Sequence, residues 1–172
     1  MDVDGVLTDG TIGMDDRGGE QKRFHVADGM GMTALRLAGI EVAWVSGRAS
    51  QAVTRRGTEL GIRFVHQGVR DKRAVVAETA AMLQIDRAAV AFIGDDWNDL
   101  AAFEAAGVRI AVAGSAKELL TAAHLTTERR GGHGAVREVC DGILDAKGVK
   151  AEILGRYLDS LRAALAGGRS EQ

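Results

Sequence analysis

The sequence predicts an α/β protein, a doubly wound and mostly parallel sheet with a small β-hairpin flap near its start. Three observations carry that reading. Beyond residue 30, short apolar runs alternate with helical patterns, as βαβ units do. Glycine is abundant (23) and proline absent, and glycines fall where helices should stop. Polar residues gather just after the apolar runs, and in open parallel sheets ligands bind at those carboxyl ends of the strands.

Taken in order, the chain opens on Asp2-Val3-Asp4-Gly5. If residues 1–4 are extended, Asp2 and Asp4 point to one face. Two carboxylates that close resist joint ionisation unless a cation or a shared proton intervenes. Gly5 permits a sharp turn or close approach to the backbone. Residues 11–26 form the flap, with arms at 11–14 and 21–26 around the polar tip Asp15-Asp16-Arg17-Gly18-Gly19. Asp28 is the expected N-cap of a helix over 30–38, stopped by Gly39.

Residues 40–45 form a buried strand that runs into Ser46-Gly47-Arg48. A helix over 49–60 ends at Gly61, and a strand follows at 62–65. Residues 71–84 are helical. The strand at 90–93 leads into Gly94-Asp95-Asp96-Trp97-Asn98-Asp99. A helix is expected over 98–106, a strand over 108–112, a helix over 115–123 and a possible edge strand at 125–126. Gly131-Gly132-His133-Gly134 is a loop before a helix over 135–146. A last amphipathic helix covers 149–166. Residues 1–166 are expected to form one domain and 167–172 a polar tail.

Composition narrows the function classes. The chain has 172 residues, a net charge of −2 and 4% aromatics. This suits neither general nucleic-acid affinity nor a base-stacking surface. No run of about 18 apolar residues predicts a membrane span, and no signal peptide is visible. The expected location is the cytoplasm. The single Cys140 excludes an internal disulfide and reads as packing.

The strand ends collect Asp2, Asp4, Ser46, Lys72, Asp95, Asp96 and Asp99. Several carboxylates with one hydroxyl and one lysine suit a divalent cation plus a phosphate. Hard oxygen ligands favour Mg²⁺, and a carboxylate can attack phosphorus. Singly, each residue has a plainer reading. Asp2-x-Asp4-Gly5 could open a calcium loop, but a twelve-residue loop would then carry Val6 fifth and Gly13 last. Ser46 alone is a turn or cap residue, Lys72 a solvated helix residue, and Asp95–Asp99 an acidic helix start. Together, all at strand ends, they point to chemistry.

Asp2-Val3-Asp4-Gly5-Val6-Leu7-Thr8 resembles the first motif of the haloacid dehalogenase superfamily. Ser46, Lys72 and Gly94–Asp99 resemble its second, third and fourth motifs, in order. The resemblance implies Asp2 as nucleophile and Asp4 as general acid/base. It implies Ser46 and Lys72 on the transferring phosphoryl group. Mg²⁺ would be held by Asp2, the Asp4 carbonyl and Asp95, with Asp96 and Asp99 orienting the metal waters and Lys72. About 40 residues separate Asp4 from Ser46, too few for an inserted cap domain. The hairpin, Phe24–Gly31, Ser46-Gly47-Arg48 and Arg130–Cys140 are similar to the cap-less 3-deoxy-D-manno-octulosonate 8-phosphate phosphatases, over roughly residues 1–146.

That likeness implies a Mg²⁺-dependent phosphatase acting through an aspartyl-phosphate, in a homotetramer whose neighbouring subunit covers the site. By analogy Arg48 and Arg56, with Gly47 between Ser46 and Arg48, would meet the substrate. The alternatives are a nonulosonate 9-phosphate phosphatase and a non-catalytic oligomerisation domain of the kind joined to cytidylyltransferases. Only Met1 precedes Asp2, where the family has an apolar strand. His25, Met30 and Trp97-Asn98 also depart from its pattern, and bear on the substrate more than on the reaction.

Overall fold

A computed structural model describes residues 1–167. The polar tail expected at 167–172 lies, beyond Gly167, outside the described residues. The strands are β1 (Gly13–Met14), β2 (Glu20–Gln21), β3 (Ala43–Val45), β4 (Phe64–His66), β5 (Ala91–Gly94), β6 (Val108–Ala113) and β7 (Leu125–Arg130). The helices are α1 (Val26–Leu37), α2 (Gln51–Glu59), α3 (Lys72–Met82), α4 (Leu100–Glu104), α5 (Lys117–Ala122), α6 (Ala135–Ala146) and α7 (Lys150–Gly167).

β3 pairs with β4, and β5 with β6 and β6 with β7, all parallel. The opening residues join these two groups. The Val45 N–H donates to the Met1 carbonyl at 2.9 Å, and the Asp2 N–H donates to the Ile93 carbonyl at 2.9 Å. The strand expected at 1–4 is therefore reduced to a short bridging segment. Residues 3–8 turn back at once, as the N–H groups of Leu7 and Thr8 both donate to the Val3 carbonyl. The chain passes from this segment to β3 and β4 on one side and then returns to β5 on the other. The resulting crevice is a topological switch point, where ligands of such sheets bind.

Apolar packing covers both faces. On one face Val3, Val6, Leu7, Met32, Leu35, Trp44, Val53, Val136, Cys140, Leu144 and Ile153 are buried together. These residues bring α1, α2, α6 and α7 against the sheet. Val45, Val76, Phe92, Ala102, Phe103, Ala111 and Leu119 form the other cluster, under α3, α4 and α5. Burying a large apolar side chain contributes about 1.5–3 kcal/mol, so these two clusters hold the strand ends in register.

Four expectations change in detail. The flap is antiparallel, but its paired arms shrink to Gly13↔Gln21 and Met14↔Glu20. α1 begins earlier than expected, because His25 and not Asp28 is its N-cap, with Nδ1 accepting from the Ala27 N–H. Asp28 lies inside the first turn, buried, and accepts from the Arg137 N–H at 2.7 Å. Residues 98–106 split into a 3-10 turn at Trp97–Asp99 and the short α4, because the Asp96 carboxylate caps the Trp97 N–H. The edge strand β7 runs four residues further than expected.

Candidate active site

At the carboxyl end of the sheet lies an open cleft of about 240 Å³ lined by Asp2, Asp4, Gly10, Ser46, Gly47, Arg48, Asp95, Asp96 and Asn98. A larger, apolar cavity of about 360 Å³ sits at the opposite ends of β3 and β5, between residues such as Val42, Leu83 and Ile143. It holds none of the strand-end carboxylates.

Asp2 ends the bridging segment and is nearly buried, at 3% exposure. Its Oδ1 accepts from the Val3 N–H at 2.7 Å, and its Oδ2 lies 2.9 Å from Lys72 Nζ. Lys72 opens α3, which Asp71 caps through the Ala74 N–H. Its ammonium also donates to Asp99 Oδ1 at 2.7 Å, and Asp99 Oδ2 accepts from the Asp95 N–H at 2.9 Å. Lys72 thus stands behind Asp2 rather than in the wall of the cleft. Both oxygens of the fully buried Asp99 are occupied, by Lys72 and by the backbone of Asp95.

Gly94 makes that arrangement possible. A Cβ there would lie 2.6 Å from Asp99 Oδ2. Asp95 then projects over Gly5, and its buried Oδ1 has no hydrogen-bond partner. Asp2, Asp95 and Asp99 each offer an oxygen within 4.8 Å of the others.

Negative charge exceeds positive charge in this cluster, and the proton affinities respond. Burial, then the charge of Asp99, pushes the Asp2 carboxyl up to about 6 against the pull of Lys72. Burial, then Asp2, Asp99 and Asp96, pushes Asp95 up to about 7. Burial opposes the charge on Lys72, but Asp2 and Asp99 outweigh it and hold its pKa above the ordinary value. Such a site lacks one centre of positive charge.

Ser46 follows β3, buried at the cleft floor, with its Oγ accepting from the Arg48 N–H at 3.1 Å. Gly47 and Arg48 form the adjacent wall. Asp96 is exposed at the rim and occupied in capping Trp97, so it does not reach Lys72. Arg56 is not brought to the cleft. It lies on α2 and pairs with Glu59 at 2.8 Å across one helical turn.

Lys22 and Glu20 were not singled out from the sequence. Lys22, just after β2, reaches back to Asp4 Oδ1, with its side chain wholly buried. Glu20 lies 3.3 Å from the same ammonium. The Gly131-Gly132 pair, expected from the sequence as part of a loop, packs on the turn that follows Asp4, and the Gly132 N–H donates to the Val6 carbonyl at 3.0 Å. The double glycine before α6 was the available signal, though a plain loop has the same composition. Lys22 carries no signal, since a lysine on a hairpin is ordinarily solvated.

Comparison with known proteins agrees with this geometry. Residues 53–139 match the haloacid dehalogenase-like hydrolase family. The chain is 44% identical over 146 residues to the 3-deoxy-D-manno-octulosonate 8-phosphate phosphatase of Yersinia pestis, covering 85% of this chain and 78% of that protein. It is 40% identical over 158 residues to the phosphatase of the same name from Escherichia coli K12, covering 92% and 84%. The crystal structure of the 3-deoxy-D-manno-octulosonate 8-phosphate phosphatase from Moraxella catarrhalis, in complex with magnesium ion, phosphate ion and a KDO molecule, superposes with a TM-score of 0.88. It shares 40% identity over 91% of this chain and 90% of that one.

Proposed function

The chain belongs to the haloacid dehalogenase-like hydrolases, among the 3-deoxy-D-manno-octulosonate 8-phosphate phosphatases, and we propose that it hydrolyses that sugar acid phosphate to the free sugar acid and phosphate. The carrying observation is that Asp2 and Asp4 line one cleft at the carboxyl end of the sheet, with Lys72 and Asp99 behind Asp2 and the unpartnered Asp95 oxygen beside it.

The donor set fits a hard divalent cation. The buried Asp95 Oδ1 lacks a partner, and the cluster is short of positive charge. Asp2, Asp95 and the Asp4 carbonyl would hold Mg²⁺. When bound, the ion neutralises charge on the phosphoryl oxygens and the carboxylates.

Asp2 attacks phosphorus, the bond to the sugar oxygen breaks, and Asp4 gives that oxygen a proton. Asp4 then takes a proton from water, which attacks the aspartyl-phosphate. The bond between phosphorus and the Asp2 oxygen breaks, releasing phosphate and restoring Asp2. Lys72 keeps Asp2 ionised and aimed, while the Ser46 hydroxyl and the Gly47 N–H receive the phosphoryl oxygens, the Ser46 and Arg48 N–H groups being engaged by the His66 carbonyl and Ser46 Oγ. Arg48, at the rim, would meet the sugar carboxylate with the guanidinium N–H groups that Glu20 leaves free. Arg56 would need to act across a subunit boundary.

The proposed assembly is a homotetramer in the cytoplasm, built from one domain over 1–166. Exposed Ile12 and Met14 on the flap, with Val26 and Met30 on α1, supply apolar surface for it. Among the described residues no helix is long and apolar enough to cross a membrane. The test is kcat/KM on purified protein with eight- and nine-carbon sugar acid phosphates. A clear preference for the eight-carbon substrate is expected. A nine-carbon preference would reassign the substrate, and no turnover of either would leave an oligomerisation domain.

A further inference from the structure

We propose that Lys22 is the positioning residue for Asp4, fixing its carboxyl toward the leaving oxygen and tying that orientation to the seating of the flap. The proposal rests on the reading of Asp4 as proton donor.

Asp2 and Asp4 are held in different ways. The Asp2 carboxylate is fixed by its own neighbouring backbone, through the Val3 N–H, and by Lys72. The Asp4 carboxylate receives no backbone N–H and no hydroxyl among the described residues. Its hydrogen-bond donor is the Lys22 ammonium. The nearest other cation is Arg48, whose Nε stands 4.0 Å from Asp4 Oδ2, beyond hydrogen-bond reach.

Lys22 is therefore unusual for its place in the chain. It follows a hairpin whose paired residues are mostly exposed, yet its side chain is wholly buried. A buried ammonium is retained where it is paired. Here the partners alternate in sign around a ring. Lys22 joins Asp4 and Glu20, the Glu20 Oε1 accepts from Arg48 Nη2 at 3.0 Å, and Arg48 returns toward Asp4. A hairpin of two residues per strand is marginal by itself. The ring anchors it to the cleft and, by the same contacts, selects one rotamer of Asp4.

A misaimed donor slows the step that needs a proton on the leaving oxygen and spares one that does not. The test compares wild type, Lys22→Met and Asp4→Asn in single turnover with enzyme in excess and Mg²⁺ present. Release of the leaving group then reads the first step alone. The substrates are the sugar acid phosphate, an alkyl ester, and p-nitrophenyl phosphate, whose leaving group departs unprotonated. For Lys22→Met the alkyl ester should slow about 100-fold and the aryl ester less than about threefold, in keeping with the usual share of general acid catalysis. Lys22→Gln keeps an N–H donor and should recover about tenfold of that loss.

Equal loss on both substrates, or loss on neither, overturns the proposal. If Asp4→Asn splits the substrates and Lys22→Met does not, the Lys22 proposal alone fails. If Asp4→Asn shows no split, the reading of Asp4 fails and takes the proposal with it. Unfolding midpoints for each variant separate misfolding from misaim, and Lys22→Gln carries the test if the Met variant does not fold.

Discussion

The Asp95 carboxylate closes over Gly5. A Cβ on Gly5 would stand 2.0 Å from Asp95 Oδ2, and Gly5 has φ +87°, a conformation that side chains rarely adopt. The same residue that turns the chain after Asp4 therefore sets how near Asp95 comes to Asp2. Gly5→Ala should cost about 1–3 kcal/mol of stability through backbone strain and the displaced carboxylate. It should also weaken Mg²⁺ binding. Urea unfolding with and without Mg²⁺ checks both effects.

The raised proton affinities of Asp2 and Asp95 each contribute a pH dependence of definite sign to metal-free protein. Their folded pKa values, about 6 and about 7, lie above the unfolded value of 3.8. The folded state then holds protons that the unfolded state has lost. The contribution to stability is complete below pH 3.8 and is lost as pH rises through 6 and 7. Mg²⁺ competes with those protons, so its stabilising effect should be large at pH 8 and small at pH 5. Unfolding midpoints at the two pH values, each with Mg²⁺ or a chelator, measure this directly.

Among the described residues Lys72 is the one side-chain cation in contact with both Asp2 and Asp99. Lys72→Met leaves two buried carboxylates without it, a change that typically costs about 3–5 kcal/mol. The loss should be greater at pH 8 than at pH 5, where protonation relieves the repulsion. Denaturant titration at both pH values checks it.

Gly131 lies against the loop that carries Asp4. A Cβ there would fall 1.8 Å from the Gly5 carbonyl oxygen, backbone that cannot swing aside. Gly131→Ala should destabilise by about 1–3 kcal/mol by overpacking. It should also lower turnover although the residue carries no chemistry. A steady-state assay beside a thermal melt checks the pair of effects.

The order of helices and strands was legible because apolar runs and glycine stops are local. Gly39 and Gly61, both with positive φ, end α1 and α2 where a chain without proline requires them. The strand ends were legible for the same reason, so Asp2, Asp4, Ser46 and Asp95 meet in one cleft. What depended on partners distant in sequence was not. His25 displaced Asp28 as a cap because Asp28 is engaged by the Arg137 N–H from α6. The position of Arg56 depends on α2 packing that side chain against Gly29 of α1, a contact distant in sequence. Lys22 became a buried partner of Asp4 through a fold-back of the flap that leaves no periodic trace.

The central claim is that Asp2 forms the bond to phosphorus, and Asp2→Asn tests it most directly. The variant keeps the size of the side chain and removes the attacking oxyanion. Turnover of 3-deoxy-D-manno-octulosonate 8-phosphate with saturating Mg²⁺ should fall by at least about 1000-fold, as expected when a covalent nucleophile is lost. Turnover at the wild-type rate in the purified, folded variant would contradict the account.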